Sequence, residues 1–141
     1  MNFEWIHENP SYWDASKQRI IGGAPDGIFR MDNVREGEVL PGEWWHVERD
    51  GKVVGYGWMD QTWGDAEILL AVDEGSRGQG VGTFILDGLE REARSHGLNY
   101  LYNVVRETHP DREGISAWLK ARRFDAPHGD EGLLKRAIPH V

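Results

Sequence analysis

The sequence predicts one mixed α/β domain, a central and mostly antiparallel sheet flanked by about four helices. Two strand-like runs, residues 44–49 and 52–60, are joined by Asp50-Gly51, a dipeptide suited to the positive φ angles of a tight hairpin turn. A third run, residues 65–72, ends in Ile68-Leu69-Leu70-Ala71-Val72, the continuous apolar stretch of a strand covered on both faces. After a glycine-rich turn, apolar residues at 81, 84, 85, 89 and 93 recur at helical spacing. With 141 residues the chain can bury about two thirds of its unfolded surface around a single core, so residues 1–141 are read as one domain.

Taken in order, residues 2–7 alternate as a first strand, and residues 11–21 place Tyr12, Ala15 and Ile20 in a helical pattern. The run Gly22-Gly23-Ala24-Pro25-Asp26-Gly27 breaks the chain, a short helix is expected near residues 28–31, and residues 37–42 are loop. The 44–60 hairpin and the 65–72 strand, separated by the break Gln61-Thr62-Trp63-Gly64, form a three-strand meander. The helix from Val81 stops at Gly97, a residue free to close it in a left-handed conformation. Residues 98–105 read as a further strand. Asp111 caps a helix to about residue 122 that buries Ile115, Trp118 and Leu119, and residues 133–138 form a last strand.

Composition narrows the function. The chain has 24 acidic and 16 basic residues, a formal charge of −8 that repels polyanions, so no nucleic-acid partner is expected and cationic partners are mildly favoured. No apolar run approaches the roughly 18 residues needed to cross a membrane, and Met1-Asn2-Phe3-Glu4 lacks the basic start of a secretion signal; no membrane association and a cytoplasmic location are expected. There is no cysteine, which removes a thiol nucleophile. The six histidines show no close pairing, so no metal site is expected.

The chemistry is concentrated in one segment, a buried strand followed by Arg77-Gly78-Gln79-Gly80-Val81-Gly82 and then by an amphipathic helix. This order aims free backbone N–H groups, the positive end of a helix dipole and a cation at one point, which suits a pyrophosphate. Glycine at 78, 80 and 82 removes side chains that would block close approach. A P-loop would close on Gly-Lys-Ser/Thr, but Gly82 is followed by Thr83. A dinucleotide fingerprint would need glycine at 83 and an acidic residue at the end of the next strand, where Asn103 stands.

The segment resembles motif A of the GNAT acetyltransferase superfamily, Arg/Gln-x-x-Gly-x-Gly/Ala, and Leu70-Ala71-Val72-Asp73-Glu74 resembles the usual approach to it. The likeness covers roughly the second half of the chain. It implies acetyl-CoA as cosubstrate, with transfer of an acetyl group to a primary amine of a small molecule or peptide. It also implies that the strands before the loop and after the helix splay apart, and that the pantetheine arm enters between them. Carried over, the backbone of Leu70, Ala71 and Val72 would meet the pantetheine, and Arg77, Gly78, Gln79, Gly80, Val81, Gly82 and Thr83 would cradle the pyrophosphate. One strand amide would hold the oxyanion formed on attack. A homodimer is the commoner assembly for such folds.

The sequence departs from the family pattern where an Asn, a Tyr seven residues later and Gly-Phe are usual. Counting back from Phe124, it has Arg112 for the Asn, Leu119 for the Tyr that protonates the CoA thiolate, and Arg123 for the Gly. Arg112 is carried over as a cofactor contact. The missing acid keeps open a second reading, a CoA-binding regulatory module without turnover. Glu67 is the candidate catalytic base, although in a regular strand it faces away from Ile68, Leu70 and Val72; a bulge would reverse that, and a solvated strand-end carboxylate is the alternative. Asp60, Asp65, Glu107 and His109 are further titratable candidates, each of which reads first as surface charge. Trp44, Trp45, Trp58 and Trp63 either wall an acceptor pocket or fill the core, and alternation puts Trp44 and Trp45 on opposite faces.

Overall fold

The structure is a computed structural model that describes residues 2–22, 35–105, 111–126 and 132–139. Six strands, β1 (Phe3–Glu8), β2 (Glu43–Arg49), β3 (Lys52–Thr62), β4 (Asp65–Val72), β5 (Tyr100–Val104) and β6 (Leu133–Ala137), form one sheet in chain order. Every neighbouring pair is antiparallel except β4 and β5, which are parallel. Helix α1 (Ala15–Ile20) covers one face, and α2 (Val81–Ser95) and α3 (Arg112–Ala121) contribute to the core on the other. The mixed α/β, mostly antiparallel architecture read from the sequence is the one observed. The short helix expected at 28–31 lies outside the described residues.

Local chemistry accounts for the differences in extent. Helix α1 starts at residue 15 because the Asp14 carboxylate accepts from the Lys17 N–H at 2.8 Å, and residue 12 instead bridges Val39 in extended form. Strand β3 runs two residues past its expected end into a two-residue turn, Trp63-Gly64, with φ of 53° and 81°. That is the geometry of the Asp50-Gly51 turn, φ 53° and 78°, reached with a residue type that seldom adopts it.

Two apolar clusters hold the layers. The smaller packs Trp13, Ile20, Ile21 and Leu40 on Trp44 and Tyr56. The larger joins Trp45, Val47, Met59, Ala66 and Ile68 to Ile85, Leu86 and Leu89 of α2 and to Leu101, Leu119 and Phe124. Trp44 and Trp45 thus lie on opposite faces as predicted, and both are core. Helix α2 comes close to the sheet: a Cβ at Gly57 would stand 2.9 Å from Ile85, and one at Gly88 2.7 Å from Trp5. No described helix is long and apolar enough to cross a membrane.

Candidate active site

Strands β4 and β5 are in register for two pairs only, Ala66 with Leu101 and Glu67 with Tyr102. Beyond them β4 stays with β3 as far as Val72, and β5 stays with β6 as far as Val104. The sheet therefore opens between β4 and β5. At the apex of the split, Asn103 Nδ2 donates to the Ile68 carbonyl at 2.8 Å. Backbone groups alternate sides along a strand. Ile68 turns its carbonyl toward β5, whereas the Asp73 N–H donates to Val54 on the β3 side at 2.8 Å. By this alternation Leu70 and Val72 present their N–H and C=O to the split, and Ala71, the third residue expected to meet a pantetheine, turns its own toward β3.

The wide end of the split leads to the glycine loop. Gly78 and Gly80 have φ of 76° and 87°, with open space where a Cβ would stand. Gly80 precedes the first turn of α2, which has no side-chain cap. No well-formed hydrogen bond to a described residue engages the backbone N–H groups of residues 78–83; the first donated to the loop comes from Phe84, to the Gly80 carbonyl at 3.0 Å. Such donors at the positive end of a 15-residue helix favour an anion, and the exposed Arg77 adds charge beside them.

Gly82 has a different reason from the other two. A Cβ there would approach the Trp118 ring to 3.1 Å, so this glycine makes room for α3. Arg122, at the end of α3, stacks on Trp118 at 3.8 Å and donates to Thr83 Oγ1 at 3.1 and 3.3 Å. Arg49 of β2 reaches the loop from the other side and bonds the Gln79 carboxamide. Trp118, Arg122 and Arg49 surround the loop without having been singled out as site residues, because only the tertiary fold brings them there. Arg112 opens α3, ten residues before Arg122 and about 15 Å away along a helix axis.

Glu67 sits on the last rung before the split, opposite Asp60 on β3 and Tyr102 on β5. The β3–β4 register is unbroken from Asp65 to Val72, so the bulge considered for this strand is absent. The parity that counted against Glu67 is real, but it sets the side chain with Leu69 and Ala71 on the face that α2 leaves free. Asp60 and Asp65 share that face. Burial raises the pKa of the Tyr102 hydroxyl, and Glu67, Asp60 and Asp65 raise it further against the effect of a hydrogen bond with Thr62. Three of the predicted carboxylates thus converge around Tyr102. Glu107 and His109 lie outside the described residues. Leu119, at the position of the usual tyrosine acid, is 1% exposed and packed in the core. Trp58 is partly buried beside the smaller cluster, while Trp63 is 98% exposed at its turn. Among the described residues no group of histidine and carboxylate side chains is arranged to hold a metal.

The sheet split between β4 and β5 and the uncapped start of α2 are the architecture that the likeness to the acetyltransferase motif implies. The model of the Acetyltransferase (GNAT) family matches residues 3–114, and the chain belongs to that family. It is 35% identical over 87 residues to an uncharacterized N-acetyltransferase of Methanocaldococcus jannaschii, a match covering 61% of this chain and 51% of that protein. The chain therefore spans about half the length of this relative. Among solved structures, the ribosomal-protein-S18-alanine N-acetyltransferase of Escherichia coli superposes with a TM-score of 0.65 at 16% identity, covering 99% of this chain and 96% of that one. The PaiA N-acetyltransferase of Thermoplasma acidophilum, in complex with coenzyme A, gives 0.56 at 15% identity, covering 67% and 59%. At these identities the structures show the fold.

Proposed function

We propose that the chain transfers an acetyl group from acetyl-CoA directly to a primary amine. The observation that carries this reading is the split between β4 and β5, which runs from its apex at Ile68 to the N–H groups of residues 78–83, unpaired among the described residues. A pantetheine arm suits the split because Leu70 and Val72 offer it the hydrogen bonds of a missing strand. A pyrophosphate suits the loop because donors, helix dipole and Arg77 coincide there. The Thermoplasma structure, which holds coenzyme A on this fold, supports the same cosubstrate.

The chemistry then follows from position. A backbone N–H facing the split polarises the thioester carbonyl and holds the negative charge that develops on attack. Glu67, one residue before Ile68 and on the sheet face opposite α2, accepts a proton from the incoming ammonium, directly or through water. Asp60 adds negative potential that favours a cationic acceptor, while the charge of Asp65 is offset by Lys135 at 3.4 Å. The chain has no cysteine to carry the acyl group, so the amine attacks the thioester itself. The buried Leu119 leaves the departing thiolate to be protonated by solvent. A cytoplasmic setting, where the acyl donor is available, belongs to this reading.

A free-thiol release assay with acetyl-CoA tests it, against polyamines, aminoglycosides, amino acids and peptides with N-terminal alanine, the last chosen from the name of the Escherichia coli neighbour. Release with one class is expected. Glu67→Gln should lower the rate about 100-fold near neutral pH, with little change in acetyl-CoA affinity. Silence across the panel, with coenzyme A still raising the melting temperature, would favour the regulatory module that Leu119 keeps in view.

A further inference from the structure

Asn103 breaks a pattern. On β5 it lies between Leu101 and Val105, both buried in the larger core, and on the neighbouring strand the same face carries Ala66, Ile68, Leu70 and Val72. A carboxamide on an otherwise apolar face needs a reason. Its NH2 group bonds the Ile68 carbonyl at 2.8 Å, and because only nitrogen can donate to a carbonyl this contact settles which way the amide faces. Had the ladder continued, Ile68 and Asn103 would have been the next pair after Glu67 and Tyr102. The side chain therefore replaces the rung that the backbone gives up, and it does so at the point where the strands part.

Resting on the acyl-CoA reading above, we propose that Asn103 is a positioning residue that ends the split and limits the length of acyl group the cleft accepts. An arm entering from the glycine loop passes Val72 and Leu70, about 13 Å of strand from Val72 to Ile68, before it meets the Asn103–Ile68 bond. The acyl group is the leading end of that arm. Its carbonyl lies where Leu70 can donate, and its methyl end points at the apex. Along β4 the first backbone N–H that faces the split beyond the Asn103–Ile68 bond is that of Leu70, so the same contact fixes how far the thioester can advance. A longer acyl chain would have to displace Asn103 and leave the Ile68 carbonyl unpaired.

Calorimetry with coenzyme A, acetyl-CoA and butanoyl-CoA tests this without knowledge of the acceptor. A pocket that excludes one methylene discriminates by about tenfold or more. The unchanged protein should bind butanoyl-CoA at least about tenfold more weakly than acetyl-CoA. Asn103→Ala should shrink that ratio to about threefold or less while leaving coenzyme A affinity within about threefold, since the loop and the Leu70 and Val72 groups are untouched. Asn103→Asp keeps the size of the side chain but loses the donor, so it should relax the ratio as Asn103→Ala does. A residue that only fills space would let Asn103→Ala relax the ratio while Asn103→Asp keeps it, which overturns the role of the hydrogen bond, and one that only stabilises the fold would shift all three ligands together. An unaltered ratio in both variants, with coenzyme A still bound, overturns the inference alone. Failure of the unchanged protein to bind any of the three overturns the acyl-CoA reading, and this inference with it.

Discussion

Lys17 is 0% exposed, and its ammonium is held by Glu8 at 2.6 Å, by the Tyr12 carbonyl at 2.8 Å and by Asp14 at 3.3 Å. His46 lies between Glu8 and Glu48, at 2.6 and 2.8 Å. Burial alone would raise the pKa of Glu8, but hydrogen bonds from His46, Lys17 and Ser11 outweigh it and bring the value from 4.5 down to about 2. The Glu8 bond raises His46 above 6.5, burial opposes it, and Glu48 adds to the rise. The signs follow by linkage. Glu8 contributes stability that is complete above 4.5 and lost as pH falls toward 2. His46 contributes stability that is complete below 6.5 and lost as pH rises through its raised value. Stability should therefore decline on the alkaline side with a slope approaching about 1.4 kcal/mol per pH unit. His46→Gln should flatten that slope, as urea unfolding between pH 6 and 9 would show; a slope that survives the substitution assigns it to another group. None of this network was legible in the sequence, where Glu8, Lys17 and His46 are separated by loops and by a strand pairing that periodicity does not reveal.

At the scale of elements, the glycine loop was the readable part of the site, because positive φ angles and a helix start leave marks in composition. Gly78 and Gly80 have positive φ and open space where a Cβ would stand, whereas Gly82 packs against Trp118, a tertiary contact with no local signature. The strands were legible for a similar reason: alternation, the Asp50-Gly51 turn and the break at residues 61–64 are local, while the left-handed φ of Trp63 has no mark in its residue type. The start of the split was not legible, since it depends on one side chain crossing between strands. The distinction among the glycines sharpens the test of the phosphate loop. Asn and Asp tolerate left-handed φ about equally, so Gly80→Asn and Gly80→Asp carry the same conformational strain. Only the second adds a carboxylate where a pyrophosphate would sit. At an effective dielectric of 20, a unit charge about 4 Å from a phosphate oxygen repels it by about 4 kcal/mol. Gly80→Asp should weaken coenzyme A binding by roughly 1,000-fold relative to Gly80→Asn, with melting temperatures of the free proteins nearly equal. Equal affinities would place the pyrophosphate elsewhere.

For the whole molecule, the split divides the sheet into parts of unequal support. Strands β1 to β4 are joined by long antiparallel ladders and packed beneath α2. The β5–β6 pair is tied to them by two register pairs, the Asn103 bond, the Lys135–Asp65 and Arg136–Glu90 ion pairs at 3.4 and 3.0 Å, and the shared apolar core. Regions with few cross-links open at lower free energy than the whole. Amide exchange in the free protein should therefore show β5, α3 and β6 opening below the global value, by roughly 1–2 kcal/mol, while β3 and β4 exchange only through global unfolding. Coenzyme A that hydrogen-bonds along the split would join the two parts, and saturating ligand should bring the protection of β5 and β6 close to that of β3 and β4, at 1,000 times Kd by about 4 kcal/mol of added stability. Uniform protection in the free protein would mean that the shared core, carried across the split by Ile68, Leu101 and Phe124, makes the sheet a single cooperative unit despite its missing rungs.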